Sequence, residues 1–483
     1  MKPIATHQSR CRAGVARGEI TPPVGIYHRM WGAAVHDRST GVHRPLTATA
    51  LYLKSLNEDG PPAQVMIAVD HCLLWPTEMN QLLDSVSQAT GLGRDSLVVF
   101  FSHTHAAGLM GLERKDLPGG ELIEPYLAEL AIKIAELVNE AQRQPVVANI
   151  VYGRGLCSLA THRDFYDLDR GYYVCGYNPS GEVDTTVVVG RITAESGELL
   201  ATLVNYACHP TTLAWDNTLI SPDYPGAMRE VVEAVTHVPC LFIQGASGDV
   251  GPREGFVGDV EVADRNGRQL GYAALAAFEA LPPVGNEFVY LGPVVSGATI
   301  GTWGYAPESE ARIAQAAKWI THSKTISLAY RSDLPTKAEL QQEELQFRAE
   351  EQAAIEQGDS ERARDARAMI ERTTRRMIRI APLPAGDFYP YTILLWRMGD
   401  AIWIALDGEH YNWLQQVLRA RFPQFTLIIG TLANGSKSWY LPTKNNYGLG
   451  LYQEEVSVLA EGCLEAVVEW TTIEIQKYVG LDS

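Results

Sequence analysis

The sequence has no long hydrophobic run. Nowhere in its 483 residues do about 18 apolar residues follow one another, the length that a membrane-spanning helix needs. The N-terminus, Met1–Gln8, also lacks the apolar segment of a secretory signal peptide. These two absences predict a cytoplasmic protein without a transmembrane segment.

Cysteine pairs are missing as well. The chain has seven cysteines, an odd number, and none of them forms a Cys-x-x-Cys motif with another. An odd and dispersed set in a chain of this length is typical of free thiols in a reducing compartment, not of a disulfide framework.

Positive charge is in short supply. The chain has 40 Lys and Arg residues against 57 Asp and Glu residues, which gives a formal net charge of −17. Binding to nucleic acid or to an anionic membrane depends on an excess of Lys and Arg, so neither partner is predicted. The hydrophobic fraction of 46% and the charged fraction of 20% are ordinary for a globular enzyme with a large core.

Two familiar motifs are incomplete in the glycine-rich stretch 245–251. This stretch follows a short apolar strand, so its N–H groups are suited to bind an anion or oxyanion. It has neither the lysine of a phosphate-binding loop nor the Gly-x-Ser-x-Gly spacing of a serine-hydrolase turn. Ser247 would need a base to act as a nucleophile, and none is adjacent in sequence, so a supporting role is predicted.

The most informative stretch is an apolar strand that ends in two histidines, Val98–Gly108. Residues i and i+2 of a strand share a face, so His103 and His105 are predicted to point into one volume. Such a pair suits a metal, or one metal ligand and one proton donor. For an isolated motif, two hydrogen-bonded structural histidines are at least as common.

The region before these histidines predicts a parallel pair of strands. Helical spacing from Thr77 to Thr90, with Thr77 as N-cap and Gly91 as stop, separates the strand Gln64–Val69 from the His-Thr-His strand. A βαβ unit of this kind gathers polar residues at the carboxyl ends of its strands, where His71 also falls.

The alternation of strands and helices continues to a final helix, Glu454–Trp470. It predicts one large α/β domain over residues 11–475, with a mixed, partly parallel β-sheet core flanked by helices. One segment differs in character: residues 336–379 are rich in Glu, Arg, Ala and Gln and predict an inserted helical hairpin. A solvated insertion is favoured over a lid or a partner surface.

Further potential ligands stand at the ends of other predicted strands. His209 follows the strand Leu199–Tyr206, Glu409 follows the strand Ala401–Leu406, and Tyr440 lies beyond the strand Phe425–Gly430. Each alone is more often structural, and Glu409 could simply favour a helix N-terminus. Together with His103 and His105 they supply the imidazole and carboxylate groups that catalytic zinc uses.

Several ordered motifs give the chain a resemblance to the neutral/alkaline (non-lysosomal) ceramidases, in their catalytic N-terminal domain. Besides His-Thr-His, they are Ala13–Val15 with Glu19–Val24, Gly41–Arg44, Val183–Thr185, Asn205–Thr211 and Gln244–Val250. The match runs in order from about Ala13 to the terminal helix.

The resemblance implies a zinc-dependent amidohydrolase that acts on linear amides of small-molecule N-acyl substrates, lipids among them, and hence a place in sphingolipid metabolism. The family's Zn2+ ligands fall on His103, His209, Glu409 and Tyr440. The family's other active-site residues fall on His105, as proton donor to the leaving amine, on Arg163 and Tyr452, as oxyanion donors, and on Ser247.

The sequence departs from this family at three places. The turn after the histidines is Ala106–Leu109 where ceramidases carry a Ser-Gly-Pro-Gly-Gly type of run, and the loop around Arg163 lacks their Asn-Arg-Ser-Pro pattern. The C-terminal immunoglobulin-like domain is expected to be missing. These departures keep open a non-ceramide amide or ester, such as an N-acyl amino sugar, and a non-catalytic zinc-binding protein. A serine hydrolase that uses Ser247 would resist chelators. Oligomeric state is not predicted.

Overall fold

Two β-sheets pack face to face, and helices cover the outer side of each. The computed structural model describes residue 4 and residues 6–479. Among these, the longer elements alternate between strands and helices, which confirms the predicted mixed α/β class.

The described residues form these strands: β1 (Gln8–Glu19), β2 (Gly41–Val42), β3 (Thr47–Lys54), β4 (Gln64–Val69), β5 (Leu97–Phe101), β6 (Val146–Leu156), β7 (Ala160–His162), β8 (Asp164–Asp167), β9 (Tyr172–Cys175), β10 (Thr186–Ala194), β11 (Leu199–Tyr206), β12 (Leu219–Ile220), β13 (Cys240–Gln244), β14 (Val250–Pro252), β15 (Asn286–Ser296), β16 (Ala298–Pro307), β17 (Trp319–Ala329), β18 (Phe388–Met398), β19 (Ala401–Leu406), β20 (Glu409–His410), β21 (Thr426–Gly430) and β22 (Tyr440–Leu441). The α-helices are α1 (Pro76–Thr90), α2 (Ile123–Arg143), α3 (Tyr224–Thr236), α4 (Val260–Glu279), α5 (Glu310–Ala316), α6 (Lys337–Glu356), α7 (Ser360–Ile380), α8 (Trp413–Arg421), α9 (Tyr452–Val456) and α10 (Cys463–Val479).

The larger sheet has eight strands in the order β13-β11-β10-β6-β1-β3-β4-β5. Its outer pairs, β4 with β5 and β11 with β13, are parallel, and the pairs between them are antiparallel. The smaller sheet has the order β17-β18-β19-β21, with β19 and β21 parallel. The sheet core is therefore mixed and partly parallel, as predicted.

Alternation along the strands produces the layers. In β5, Val98 and Phe100 point toward the second sheet, whereas Val99 and Phe101 pack under the helices on the other side. Strand β19 divides in the same way, and Trp403, which is fully buried, enters the space between the sheets. Because both faces are covered, these strands are continuous apolar runs, without a polar face.

The predicted βαβ unit is confirmed, and its helix boundary needs one correction. Strands β4 and β5 are parallel neighbours, and α1 ends at Gly91 in a left-handed conformation with φ of 71°. The helix begins earlier than predicted, because Pro76 occupies its first turn. Its N-cap is Trp75 and not Thr77, and no side chain caps the helix there.

Two other regions differ from the sequence prediction. Residues 157–177, expected to be irregular, contain the short strands β7, β8 and β9, which pair locally with β14 and with each other. The sequence prediction left residues 286–307 unassigned, and they form the two-stranded hairpin β15–β16. Glycine and the apolar residues exposed on this hairpin, such as Val295, obscured its strand pattern.

The Glu/Arg-rich segment does form a helical hairpin. Helix α6 begins at a capping box, in which the side chains of Thr336 and Glu339 each bond the other residue's backbone N–H. Helix α7 follows after Gly358, in a left-handed turn with φ of 71°. Most of α6 is solvent-exposed, as predicted, but one side of α7 is not. The division of the chain into a single domain at 11–475 stays a prediction.

None of the helices in the described residues has the length and apolarity needed to span a bilayer. The seven cysteines are all free thiols, and six of them are buried. The predicted free thiols are therefore present.

A buried ion pair between Asp70, after β4, and Arg229, on α3, should dominate local stability. The guanidinium meets both carboxylate oxygens, and Asp70 also accepts hydrogen bonds from the N–H and hydroxyl of Thr47. Replacement of Arg229 by methionine leaves a buried carboxylate unpaired, so we expect the free energy of unfolding to fall by about 3–5 kcal/mol. Urea titration measures this. Arg94→Met, which breaks the exposed pair with Asp84, should cost no more than about 1 kcal/mol, and equal losses in both variants would contradict the prediction.

Candidate metal centre

The loop after β5 positions the two motif histidines. The backbone N–H of His103 donates to the carbonyl of His71 (2.9 Å), and that of His105 donates to the carbonyl of Pro210 (3.3 Å). The strand has already ended at Phe101, and His103 has a φ of +67°, which is costly for a residue with a side chain. The strand alternation used for the prediction therefore does not extend to these residues. Their rings nevertheless lie close, with centroids 4.9 Å apart.

Four side-chain atoms from four separate segments converge beside this loop. The Nε2 atoms of His103 and His209 are 2.9 Å apart, and Glu409 Oε2 lies 3.2 Å from the first and 3.5 Å from the second. The hydroxyl of Tyr440 lies 3.4 Å from His209 Nε2. The structure thus brings together the four predicted ligands.

Each imidazole is oriented by its other nitrogen. Nδ1 of His103 lies 2.8 Å from the carbonyl oxygen of Cys72, and Nδ1 of His209 lies 3.0 Å from that of Ser247. A carbonyl can only accept, so both Nδ1 atoms carry hydrogen and both Nε2 atoms can present lone pairs. Two nitrogen lone pairs at this separation repel each other unless a cation lies between them.

The electrostatics of the cluster also favour one added positive charge. Burial alone would raise the pKa of Glu409, but His103 and Tyr440 hold it below its ordinary value. Burial would lower the pKa of His103, but Cys72 and Glu409 raise it well above its ordinary value. Burial and the charge of Arg163 lower the pKa of His209. A proton would bridge only two of the four atoms, whereas a metal ion can bond all of them.

A short parallel strand pair places the two oxygen ligands. Glu409 in β20 is the register partner of Tyr440 in β22, and the N–H of Glu409 donates to the carbonyl of Trp439 (2.7 Å). Partners in register project their side chains to the same face. This pairing joins residues 31 positions apart in the chain and explains why both face the histidines.

The donor set fits a zinc ion. Two imidazole nitrogens, one carboxylate and one phenol oxygen are the nitrogen and oxygen ligands that zinc accepts, and all four residues are buried. Cys72, His103 and His105 form a second grouping. In that grouping His103 would have to use Nδ1, which already donates to the Cys72 carbonyl, so the first grouping fits better.

His105 stands beside the cluster without joining it. Its ring lies 5.3 Å from that of His209 and 5.2 Å from that of Trp31, centroid to centroid. Its Nε2 is buried and has no hydrogen-bond partner within the described chain. Burial and the neighbouring His103 lower its pKa well below the ordinary value, so the ring is neutral near pH 7.

Arg163 reaches the cluster from the turn between β7 and β8. Its Nη2 donates to the Gly248 carbonyl (2.6 Å) and to the Tyr440 hydroxyl (3.0 Å), and its Nε has no partner in the described residues. The residue is 3% exposed. A rigid, buried guanidinium with an unused N–H is suited to stabilise developing negative charge.

The two remaining predicted residues occupy different positions. Tyr452 begins α9 at the mouth of the site, with its ring 5.8 Å from that of Tyr440. The Ser247 hydroxyl is hydrogen-bonded to the Gln244 side chain (2.6 Å), and the carbonyl of the same serine orients His209. The arrangement fits the supporting role predicted for Ser247. His71 lies at the same sheet edge, but its Nε2 lies 2.5 Å from the Tyr126 hydroxyl on α2, away from the cluster.

A cavity of about 220 Å³ opens beside His105 and Tyr452 and contains residues that the sequence prediction missed. Trp31 and the arginines of α7 line it, among them Arg375 and Arg379. The spacing of these arginines does place them on one side of a helix. The sequence contained no signal that this side faces the site.

Comparison with known proteins agrees with this architecture. The neutral ceramidase from Pseudomonas aeruginosa superposes with a TM-score of 0.61 and 13% identity, over 96% of this chain and 73% of that one. A ceramidase complexed with C2 gives a TM-score of 0.62 and 14% identity, over 96% and 74%. No protein-family profile and no curated protein sequence matches. The chain therefore shares the fold of the ceramidases.

Proposed function

We propose that this protein is a zinc-dependent hydrolase that cleaves the amide bond of an N-acyl substrate. The observation that carries the proposal is the convergence of His103, His209, Glu409 and Tyr440, with both imidazoles oriented by backbone carbonyls. The fold shared with ceramidases supports the same reaction class. A cytoplasmic location remains a prediction from the sequence.

The four ligands would hold the zinc ion, which when bound lowers the pKa of water and polarises a carbonyl group. The neutral Nε2 of His105 can accept a proton as the amide carbon is attacked and return it to the departing amine nitrogen, since amines leave poorly without a proton. Arg163, through its unpartnered Nε, and Tyr452, at the mouth of the site, would stabilise the oxyanion.

Metal removal tests the proposal. Dialysis against a chelator should remove one zinc per chain and abolish hydrolysis of N-acyl substrates, and added Zn2+ should restore both, because no other group in the cluster can activate water equally well. Elemental analysis and product release measure the two effects. The assay should compare long-chain ceramide with short N-acyl amines. Full activity in metal-free protein would contradict the proposal and favour a serine hydrolase; zinc binding without turnover of any acyl substrate would favour a binding protein.

A second candidate is the same zinc machinery acting on an acyl compound other than ceramide. The arginines around the cavity favour it, because ceramide has no charged group to pair with them.

A further inference from the structure

The cavity beside the candidate metal centre has a charged wall. Four arginines of α7 line it, Arg372, Arg375, Arg376 and Arg379, together with His105 and Tyr452. Their spacing of three or four residues puts them on one side of the helix. Three of them also line an adjoining cavity of about 160 Å³, so the positive surface is continuous.

Arg379 has no partner for its charge. The residue is 7% exposed, and within the described chain it makes neither a hydrogen bond nor an ion pair. Its guanidinium carbon lies 4.9 Å from the centre of the Trp439 ring, next to the candidate ligand Tyr440. Stacking fixes the plane of the guanidinium but leaves its N–H groups unsatisfied.

The neighbouring acidic side chains do not neutralise this wall. Glu371 lies 3.9 Å from Arg375 but is shared with the buried Arg114, at 2.9 Å. Arg372 and Arg376 have their own partners, Glu455 at 2.6 Å and Glu343 at 3.2 Å. The uncompensated charge therefore falls on Arg375 and Arg379, the two most buried members of the row.

A buried cation without a counter-ion is unfavourable, since desolvation is not repaid by pairing. Burial, together with the like charge of Arg375, lowers the pKa of Arg379. A bound anion would repay this cost. The chain as a whole is strongly acidic, at −17, so the local excess of arginine is not a consequence of its composition.

Helix α7 is held closely over the site. Gly32, in the loop that carries Trp31, approaches α7 so closely that a Cβ atom there would lie 3.0 Å from the Cα of Ala368. Arg375 also donates to the carbonyl of Met30 in this loop. The arginines are thus fixed in place by packing of the helix against the body of the chain.

We propose that the substrate of this site carries an anionic oxygen group, bound by Arg379 with Arg375. The inference rests on the proposed amide hydrolysis and specifies its substrate class: an N-acyl compound with a carboxylate or similar oxyanion on its amine or its acyl part. The planar guanidinium fork matches such groups with two hydrogen bonds, and a neutral lipid amide would leave it unpaired.

Two matched substrate pairs test the proposal with the zinc-loaded protein. N-acetylglycine and N-acetylethanolamine differ by a carboxylate on the amine part. N-benzylsuccinamic acid and N-benzylbutyramide differ by a carboxylate on the acyl part. In at least one pair we expect kcat/KM to be about 10- to 100-fold higher for the charged member, the size of effect typical of hydrogen bonds to a charged group. The pair that shows it identifies the part that carries the anion.

Variants assign the preference to the arginines. In Arg379→Gln the ratio within the preferred pair should fall by about tenfold or more, while Arg379→Lys should retain part of it. Arg364→Gln is the matched control, because Arg364 lies on the same helix, is paired with Asp365 and is exposed. If Arg379→Gln does not fold, Arg375→Gln provides the same comparison.

The outcomes separate this proposal from the proposed function. Equal hydrolysis of charged and neutral members, or an unchanged ratio in folded Arg379→Gln, overturns the anionic substrate and leaves amide hydrolysis standing. Calorimetric binding of only the charged member without hydrolysis supports the anion site and contradicts the hydrolase. Neither binding nor hydrolysis of any member overturns both.

Discussion

Replacement of His209 by alanine is expected to remove both the bound zinc and the hydrolytic activity. The Nε2 atom of His209 lies within 3.5 Å of ligand atoms from His103, Glu409 and Tyr440, so its loss opens one side of the cluster. The three remaining donors would keep their positions, but an additional site would be left to solvent. Activity should fall below detection, and elemental analysis should show the loss of metal.

The adjacent His105 should behave differently. Its Nε2 has no bond to the cluster, so His105→Ala should retain zinc while kcat falls by about 10²- to 10⁴-fold, the usual contribution of a positioned proton donor. A variant that loses metal as well as activity would show that His105 is a ligand, and would contradict the division of roles.

A histidine outside the site provides the control. His237 ends α3 in a left-handed conformation, with φ of 58°, which asparagine adopts readily. His237→Asn should therefore keep the metal content and the activity of the original protein. Full zinc occupancy and full activity in His209→Ala would exclude the proposed centre.

The strands of this fold could be predicted because burial leaves a direct trace in sequence. Leu97–Phe101 is continuously apolar since one side faces the helices and the other faces the second sheet. The parallel partner of this strand followed from the helix between them, which is long enough for a crossover. The identities of the candidate ligands followed from the same strand ends.

What the sequence could not provide is the geometry of those ligands. His103 was expected to share a strand face with His105, yet it lies beyond the strand with a positive φ. The meeting of Glu409 and Tyr440 depends on a strand pair only two residues long. Local propensity does not specify so short a pairing, because long-range contacts of the surrounding loops determine it.

Helix α7 illustrates a second limit. Its Glu/Arg-rich composition is typical of a solvated helix, and in isolation the solvated interpretation is correct for most such helices. Here one side is buried over the candidate metal centre, so that Arg379 is only 7% exposed. The difference is decided by where the hairpin docks, a tertiary contact that involves Gly32 and Met30 more than 300 residues earlier.

Arg163→Met carries the second large expected effect on catalysis. The guanidinium is almost completely buried, and it joins the Tyr440 hydroxyl at 3.0 Å to the Gly248 carbonyl at 2.6 Å. Its unpartnered Nε is the donor we assign to the oxyanion. Loss of one such donor typically lowers kcat by about 10²- to 10³-fold. Steady-state kinetics with the zinc-loaded variant measures this.

The zinc content of Arg163→Met distinguishes two roles for the arginine. If the guanidinium acts on the oxyanion, kcat falls while the metal stays, because the four ligands are untouched. If it acts only by positioning Tyr440, the metal is held more weakly, and saturating Zn2+ should recover most of the activity. Arg170→Met is the matched control, since Arg170 lies on the neighbouring turn, is exposed and pairs only locally with Asp167. A variant with both normal kcat and normal zinc content would contradict either role, and a reduced kcat that added zinc does not restore would assign Arg163 to the oxyanion.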